Sequence, residues 1–277
     1  MRNEWTPEDQ AEAERQAPGY VFSDDDDEAG LVPAIPAATL VVLREGHAGM
    51  EALFVQRSAR MSFAAGAAVF PGGRIDEGDR QLASIIAPHL DRHDAAARVA
   101  AVRETIEETG VAIGIEAAAH EIARWREALH AGASLGEVLP DGGRDLDLTA
   151  LTPFTRWRPN FNHSRVFDAR FYIATGRSDQ EAIADRVEST DAFWLGAPQL
   201  LHRAAEGGAS LIFPTRRVLE RVAQWTDARS AKTDASRFAP KRVTPWIAHV
   251  RGESRLCIRG DCGYPITQEI ASRTDRG

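Results

Sequence analysis

Cysteine, lysine and long apolar runs are what this 277-residue chain has least of. Its two cysteines, Cys257 and Cys262, cannot build a disulfide framework and suit a reducing, cytoplasmic setting. They lack a second ligand pair, so they argue only weakly for zinc. No apolar run approaches the ~20 residues that span a bilayer. The start, Met1-Arg2-Asn3-Glu4, has no signal-peptide core, and the end, Thr274-Asp275-Arg276-Gly277, is no peroxisomal or reticulum address. Lysine is confined to Lys232 and Lys241, so arginine carries nearly all the positive charge. No internal repeat is visible.

The formal net charge of −8 is unevenly spread. Residues 1–30 hold ten acids and two arginines, and the remainder balances. A neutral body argues against a nucleic-acid partner. The run Asp24-Asp25-Asp26-Asp27-Glu28 repels itself and has few apolar anchors, so residues 1–30 read as a disordered or loosely attached tail. With 43% hydrophobic residues the rest can bury a core.

Beyond Pro33 and Pro36, Ala38–Arg44 and Met50–Arg57 read as strands, with Val69-Phe70 a short edge. Asp94–Thr109 reads as a helix, with Asp94 able to cap it and Gly110 to end it. Val99, Val102 and Ile106 give it one apolar stripe. Residues 115–150 read as an insert holding a helix over Ala117–Leu129. Strands follow at Leu151–Trp157, Asp168–Ala174 and Phe193–Leu195, and helices at Pro198–Glu206 and Thr215–Trp225. Residues 227–277 form an Arg-rich, weakly patterned extension.

The informative stretch is Arg103-Glu104-Thr105-Ile106-Glu107-Glu108-Thr109-Gly110-Val111. On a helix, Glu104, Glu107 and Glu108 fall within one sector of about 100°. Arg103 reaches Glu107 at i, i+4, but Ala100 and Ala112 leave Glu104 and Glu108 without such a partner. A hard divalent cation, Mg²⁺ or Mn²⁺, would neutralise the cluster. A solvated charged face explains the helix alone equally well. Upstream, Phe70-Pro71-Gly72-Gly73-Arg74-Ile75-Asp76-Glu77-Gly78-Asp79 is a Gly-rich turn with acids, where a backbone carbonyl can approach a metal closely.

Together these segments resemble the Nudix box, G-x5-E-x7-R-E-U-x-E-E-x-G-U with U aliphatic. Gly73 matches the first glycine, and Arg103, Glu104, Glu107, Glu108, Gly110 and Val111 match the helical half. Asp79 stands where the pattern has Glu, Thr105 occupies an aliphatic slot, and about sixteen extra residues near 80–95 separate the halves. The enlarged box and its R-E-T-x-E-E core look like the Nudix branch that includes nucleoside diphosphate-linked moiety X motif 19, a coenzyme A diphosphatase. Phe54-Val55-Gln56-Arg57-Ser58, Phe154-x-x-Trp157, Arg165-x-Phe167-Asp168-x-Arg170-Phe171 and Pro214-Thr215 extend the likeness over roughly residues 36–225.

The resemblance implies an α/β/α sandwich with a mixed sheet, here over residues 31–226, and a loop-helix-loop catalytic motif. It implies hydrolysis of a diphosphate bond with Mg²⁺ or Mn²⁺. Glu104, Glu107 and Glu108 would be metal ligands with the Gly73 carbonyl, and Glu104 would also serve as a base. Glu188, on a loop before a strand, would be a further ligand. Arg103 would hold the catalytic helix by pairing with Glu107 or with the loop. Coenzyme A or an acyl-CoA is the expected substrate, with ADP-ribose, NADH or a dinucleotide polyphosphate as the alternative. Arg57, Arg74, Arg165 and Arg170 are the phosphate-binding candidates, and Arg60 a further one. Trp157 and Phe161 could stack on a base or belong to the core. A Nudix-fold regulator without catalysis is the competing class, disfavoured because all three helical glutamates are kept. A structural protein with an accidental charged helix is a third reading. A homodimer is left open. His89, His93, His163 and His249 show no convincing metal pairing.

Overall fold

The computed structural model describes residues 5–23, 27–47, 49–61, 64–161 and 165–273. In chain order the elements are α1 (Pro7–Arg15), β1 (Ile35–Gly46), β2 (Gly49–Arg57), β3 (Ala68–Val69), β4 (Gly72–Arg74), α2 (Glu77–Ile86) and α3 (Arg92–Thr109). Then come α4 (Ala119–His130), α5 (Leu135–Val138), β5 (Thr152–Trp157), β6 (Phe167–Thr175), β7 (Ser189–Leu195), α6 (Ala197–Ala205) and α7 (Phe213–Val222). The last are α8 (Ala228–Arg237), β8 (Arg242–Val243), β9 (Trp246–Val250), β10 (Glu253–Cys257) and β11 (Gln268–Ile270).

β1 is the long central strand. Along one edge it pairs in parallel with β6, from Ile35 opposite Phe167 to Leu43 opposite Thr175. Along the other its first half pairs with β4 and its last residues with β2, both antiparallel. β7 and β3 extend the sheet from β2, and β5 and β8 extend it from β6. The sheet is therefore mixed.

Side-chain alternation along these strands separates two cores. Ala38, Leu40, Val42, Leu53, Tyr172 and Ala174 face α2, α3 and α4. Val41, Leu43, Phe54, Phe171 and Ile173 face α6, α7 and α8. Helices thus cover both faces, which is the expected α/β/α sandwich. No helix among the described residues is long and apolar enough to cross a membrane.

The expected strands and helices lie within a few residues of the observed ones. The cap of α3 differs. Asp91 accepts from the His93 and Asp94 amides and caps the helix, which therefore starts earlier. Asp94, one turn in, instead binds Arg98 and the Tyr172 hydroxyl. The extra segment near 80–95 holds most of α2, a turn at residues 87–91 and the first turn of α3.

The ends depart further from expectation. β8 joins the main sheet beside β5, and β9, β10 and β11 form a second, antiparallel sheet. Helix α1 packs on that sheet, burying Ala13 against Trp246, Ala248, Val250 and Cys257. The Trp246 indole donates to the Ala13 carbonyl at 3.0 Å, and Asp9 pairs with Arg251. Arg242, buried on β8, donates to the Tyr20 and Asp27 carbonyls and to the Ser23 hydroxyl. The described part of the N-terminal segment, residues 5–23 and 27–30, is therefore docked rather than a loose tail; residues 1–4 and Asp24, Asp25 and Asp26 of the acidic run lie outside the described residues. Charge misleads here, because the helix needs only one small buried face: Glu8, Glu12 and Glu14 keep contact with water, and the one buried acid, Asp9, is paired with Arg251.

This docking carries a stability cost if removed. Trp246→Ala is expected to destabilise the protein by about 3–5 kcal/mol, the range for truncating a buried tryptophan. Deleting residues 1–22 should likewise lower the urea midpoint. An unchanged midpoint in the deletion would show α1 to be a dispensable appendage.

Candidate active site

Helix α3 is buried nearly all round, because its alanines (Ala95, Ala96, Ala97, Ala100 and Ala101) let it lie close to the sheet and its neighbours. Its C-terminal turn projects the acids of the box. Gly110 takes a left-handed φ of 68° and ends the helix.

Arg103 organises this turn. Its Nε and Nη2 each bond a carboxylate oxygen of Asp79 at 2.9 Å. Nη1 reaches Glu104 at 2.9 Å and Glu107 at 3.3 Å, and Nη2 donates to the Arg74 carbonyl at 2.8 Å. Burial works against its charge, and the Asp79 and Glu104 carboxylates more than restore it. Asp79 is itself 1% exposed and accepts the Asp76 amide at the start of α2. The departure from the Glu of the pattern is thus a partner for Arg103, and it ties the Gly-rich turn to α3.

The turn comes close to the helix for a steric reason. A Cβ on Gly73 would sit 2.4 Å from the Glu104 carboxyl carbon, and one on Gly72 would sit 2.4 Å from the Ala38 carbonyl oxygen. At 72 a side chain would meet fixed backbone, so glycine is required there; at 73 it would push the Glu104 carboxylate aside. The Gly72 amide then donates to Glu108 at 3.0 Å.

The three glutamates are desolvated acids. Burial pushes the Glu104 carboxyl up to about 7, opposed by Arg103 and reinforced by Glu107 and Asp79. Burial also raises Glu107. Glu108 is held well above the usual carboxylate range by complete burial and by the charge of Glu104, with Gly72 and Arg57 acting the other way. Among the described residues, no three His, Cys, Asp or Glu side chains already form a metal-ligand cluster. Glu104 and Glu107 engage Arg103, and Glu108 engages Gly72. The donor set nevertheless suits a hard cation: carboxylate oxygens that raise one another's affinity for a positive charge, beside a glycine backbone.

A cavity of about 720 Å³ opens over these acids. Arg57, Arg74, Arg165 and Glu188 line it together with Gly73, Arg103, Glu104, Glu107 and Glu108. Glu188 immediately precedes β7 and faces Glu108 closely enough to raise it. Its loop is fixed by Asp185, whose carboxylate accepts the amides of Val187, Glu188 and Ser189. Phe70, Phe167, Phe171, Ile212 and Pro214 give the cavity an apolar wall.

Other candidates fall elsewhere. Arg170 does not line the cavity. It alternates with Phe167, Ala169 and Phe171 on β6, which do, and so shares the opposite face with Tyr172. Arg60 is exposed outside the cavity. Trp157 contributes to the cavity wall but is 2% exposed and donates to the Tyr264 hydroxyl at 2.8 Å, which makes it a core residue. Phe161 packs against the core on the α6–α8 side of the sheet and does not line the cavity. Cys257 and Cys262 are buried in separate clusters. His249 bonds Ser254, and His163 lies outside the described residues.

Sequence reasoning missed Asp185, His130 and Arg126. His130 and Asp185 line the cavity, and the Arg126 guanidinium donates to the Glu107 carbonyl at 2.7 Å. The basic last turn of the inserted helix was the available signal for His130. Nothing in the linear pattern marks Arg126.

No family model and no curated protein matches the chain. Solved structures do. A Nudix hydrolase from Alicyclobacillus acidocaldarius superposes with a TM-score of 0.62 at 29% identity, covering 73% of this chain and 96% of its own. The Nudix domain of Shewanella oneidensis NrtR, solved with ADP-ribose, gives a TM-score of 0.42 at 15% identity, covering 78% and 96%. A MutT Nudix hydrolase from Burkholderia pseudomallei gives 0.39 at 16%, covering 68% and 98%. The chain has the fold of the Nudix hydrolases.

Proposed function

We propose that the protein is a Mg²⁺- or Mn²⁺-dependent hydrolase of nucleoside diphosphate derivatives, with coenzyme A or an acyl-CoA as the leading substrate. The observation that carries this reading is the single cavity in which three desolvated glutamates of one helix meet Arg57, Arg74 and Arg165. Glu104, Glu107 and Glu108, with the Gly73 carbonyl and Glu188, would hold the metal. When bound, the ion neutralises diphosphate charge and lowers the pKa of a bound water.

The protein's own groups do the rest. Arg57, Arg74 and Arg165 have the forked donors that suit phosphate oxygens. Glu104 protonates near neutral pH and can take the proton of the attacking water. The water oxygen bonds to phosphorus, the bridging P–O bond breaks, and the released phosphate takes the electron pair. Arg103 is occupied by Asp79 and the glutamates, so it holds the frame rather than the substrate. The apolar wall suits the non-phosphate part of a nucleotide. The enlarged box and its R-E-T-x-E-E core favour coenzyme A. ADP-ribose, the ligand named for the Shewanella domain, is the alternative, along with NADH and dinucleotide polyphosphates. A cytoplasmic location belongs to the same proposal.

Purified protein with Mn²⁺ should hydrolyse at least one member of a panel of coenzyme A, ADP-ribose, NADH and diadenosine polyphosphates, read by mass spectrometry. Glu107→Gln and Glu108→Gln should each lower kcat/KM by about 100-fold or more, a larger effect than the loss of a group behind the metal ligands. Unchanged turnover in both variants would remove the metal assignment.

Stability should also report the acids. Burial pushes the Glu104 carboxyl from its ordinary value of 4.5 up to about 7 in the fold, so the native state holds its proton to higher pH. Metal-free protein should therefore lose stability as pH rises through that interval, with Tm falling on the order of 5 °C. Glu104→Gln should flatten the fall and Mg²⁺ should offset it. A metal-free Tm that rises from pH 5 to 7.5 would contradict this.

A further inference from the structure

The last carbonyls of α3 lie on a functional turn and need partners. Ile106 is served by the Gly110 amide at the helix end, and Thr109 by the Ile183 amide at 2.8 Å. The two between them belong to Glu107 and Glu108, and both are held from α4. The Arg126 Nε donates to the Glu107 carbonyl at 2.7 Å and its Nη2 to the Glu108 carbonyl at 3.1 Å. His130, one turn on, adds a bond from Nε2 to the Glu107 carbonyl at 3.2 Å.

We propose that Arg126 is a positioning residue: its guanidinium spans two consecutive carbonyls and fixes the direction in which Glu107 and Glu108 leave the helix. The clamp rests on the metal reading of the preceding section, because those two carboxylates are its proposed ligands. Three features support it.

The first is rigidity. Ile122, Trp125 and Leu129 anchor α4 in the core beneath α3, so the guanidinium comes from a fixed support. The second is the planar fork, which matches two neighbouring acceptors as a single ammonium cannot. The third is charge. A cation at a helix C-terminus is favoured by the helix dipole, and it needs no carboxylate that a metal would otherwise use. Asp185, which holds the Glu188 loop, also acts electrostatically on Arg126. The same guanidinium thus faces both halves of the proposed ligand set. On this account the insert is part of the site although none of its carboxylates lines the cavity.

The test compares full-length wild type, Arg126→Ala, Arg126→Lys and the control Arg124→Ala, an exposed arginine on the same helix. Mn²⁺ affinity is measured on the metal-free proteins by paramagnetic resonance titration. Hydrogen exchange is followed in the peptide spanning 103–113, and kcat and KM are determined separately. Arg126→Ala should bind Mn²⁺ about 10-fold or more weakly, in the range for groups that orient metal ligands. Its kcat should fall while KM stays within about twofold, and exchange in the peptide should accelerate. Arg126→Lys should fall between Arg126→Ala and wild type, and Arg124→Ala should match wild type.

Wild-type Mn²⁺ affinity and kcat in folded Arg126→Ala would overturn the proposal. If that variant does not fold, wild-type affinity and kcat in Arg126→Lys would overturn it instead. Faster exchange in Arg126→Ala, with a wild type that binds no Mn²⁺, would keep the clamp and overturn the metal reading.

Discussion

The site depends on one buried cation. The Arg103 side chain is 8% exposed, and its donors are spent on Asp79, Glu104, Glu107 and the Arg74 carbonyl. A guanidinium stripped of water is tolerable only when paired and fully hydrogen-bonded. It therefore demands that the Gly-rich turn, the start of α2 and the end of α3 come together. Yet one arginine does not neutralise the acids it gathers, since Asp76, Glu107 and Glu108 stand beside the pair it forms with Asp79 and Glu104. The fold accepts that negative excess in a partly enclosed cavity, and the raised Glu104 and Glu108 carboxyls are its sign.

Everything around the pair serves close approach. Alanines along α3 lower the helix onto its neighbours, and glycines at 72 and 73 bring the turn within bonding distance of it. The strand β4 that carries those glycines is itself pinned to β1, with Ala38 opposite Gly73. Backbone pairing in the sheet thus sets the height of the turn, and the turn sets where the glutamates can go.

How much of this the linear chain revealed depended on range. Glu104, Glu107 and Glu108 are close in sequence, so helical spacing alone put them together. Arg103 and Asp79 were each visible, but the insertion hid that they meet. The face of Arg170 was legible and went unread. Two-residue alternation places it opposite Phe167, Ala169 and Phe171, and a motif match overrode that alternation. Arg126 and Glu107 are nineteen residues apart on different helices, and no periodicity links them. Helix α1 was hidden by its charge, although Thr6 and Asp9 spell a capping box that marks its start.

The Arg103–Asp79 contact closes a loop of 24 residues. The entropy of closing a loop grows slowly, by about 0.6 kcal/mol for each doubling of its length. Against a bidentate ion pair between buried partners, that increment is small. The interval between the halves of the box is thus a tolerant stretch of chain, free to lengthen and here filled by a helix. A search for such sites that counts residues between glycine and arginine tests the least constrained quantity in the arrangement. One that asks whether a buried arginine meets an acid beside paired glycines tests the most constrained.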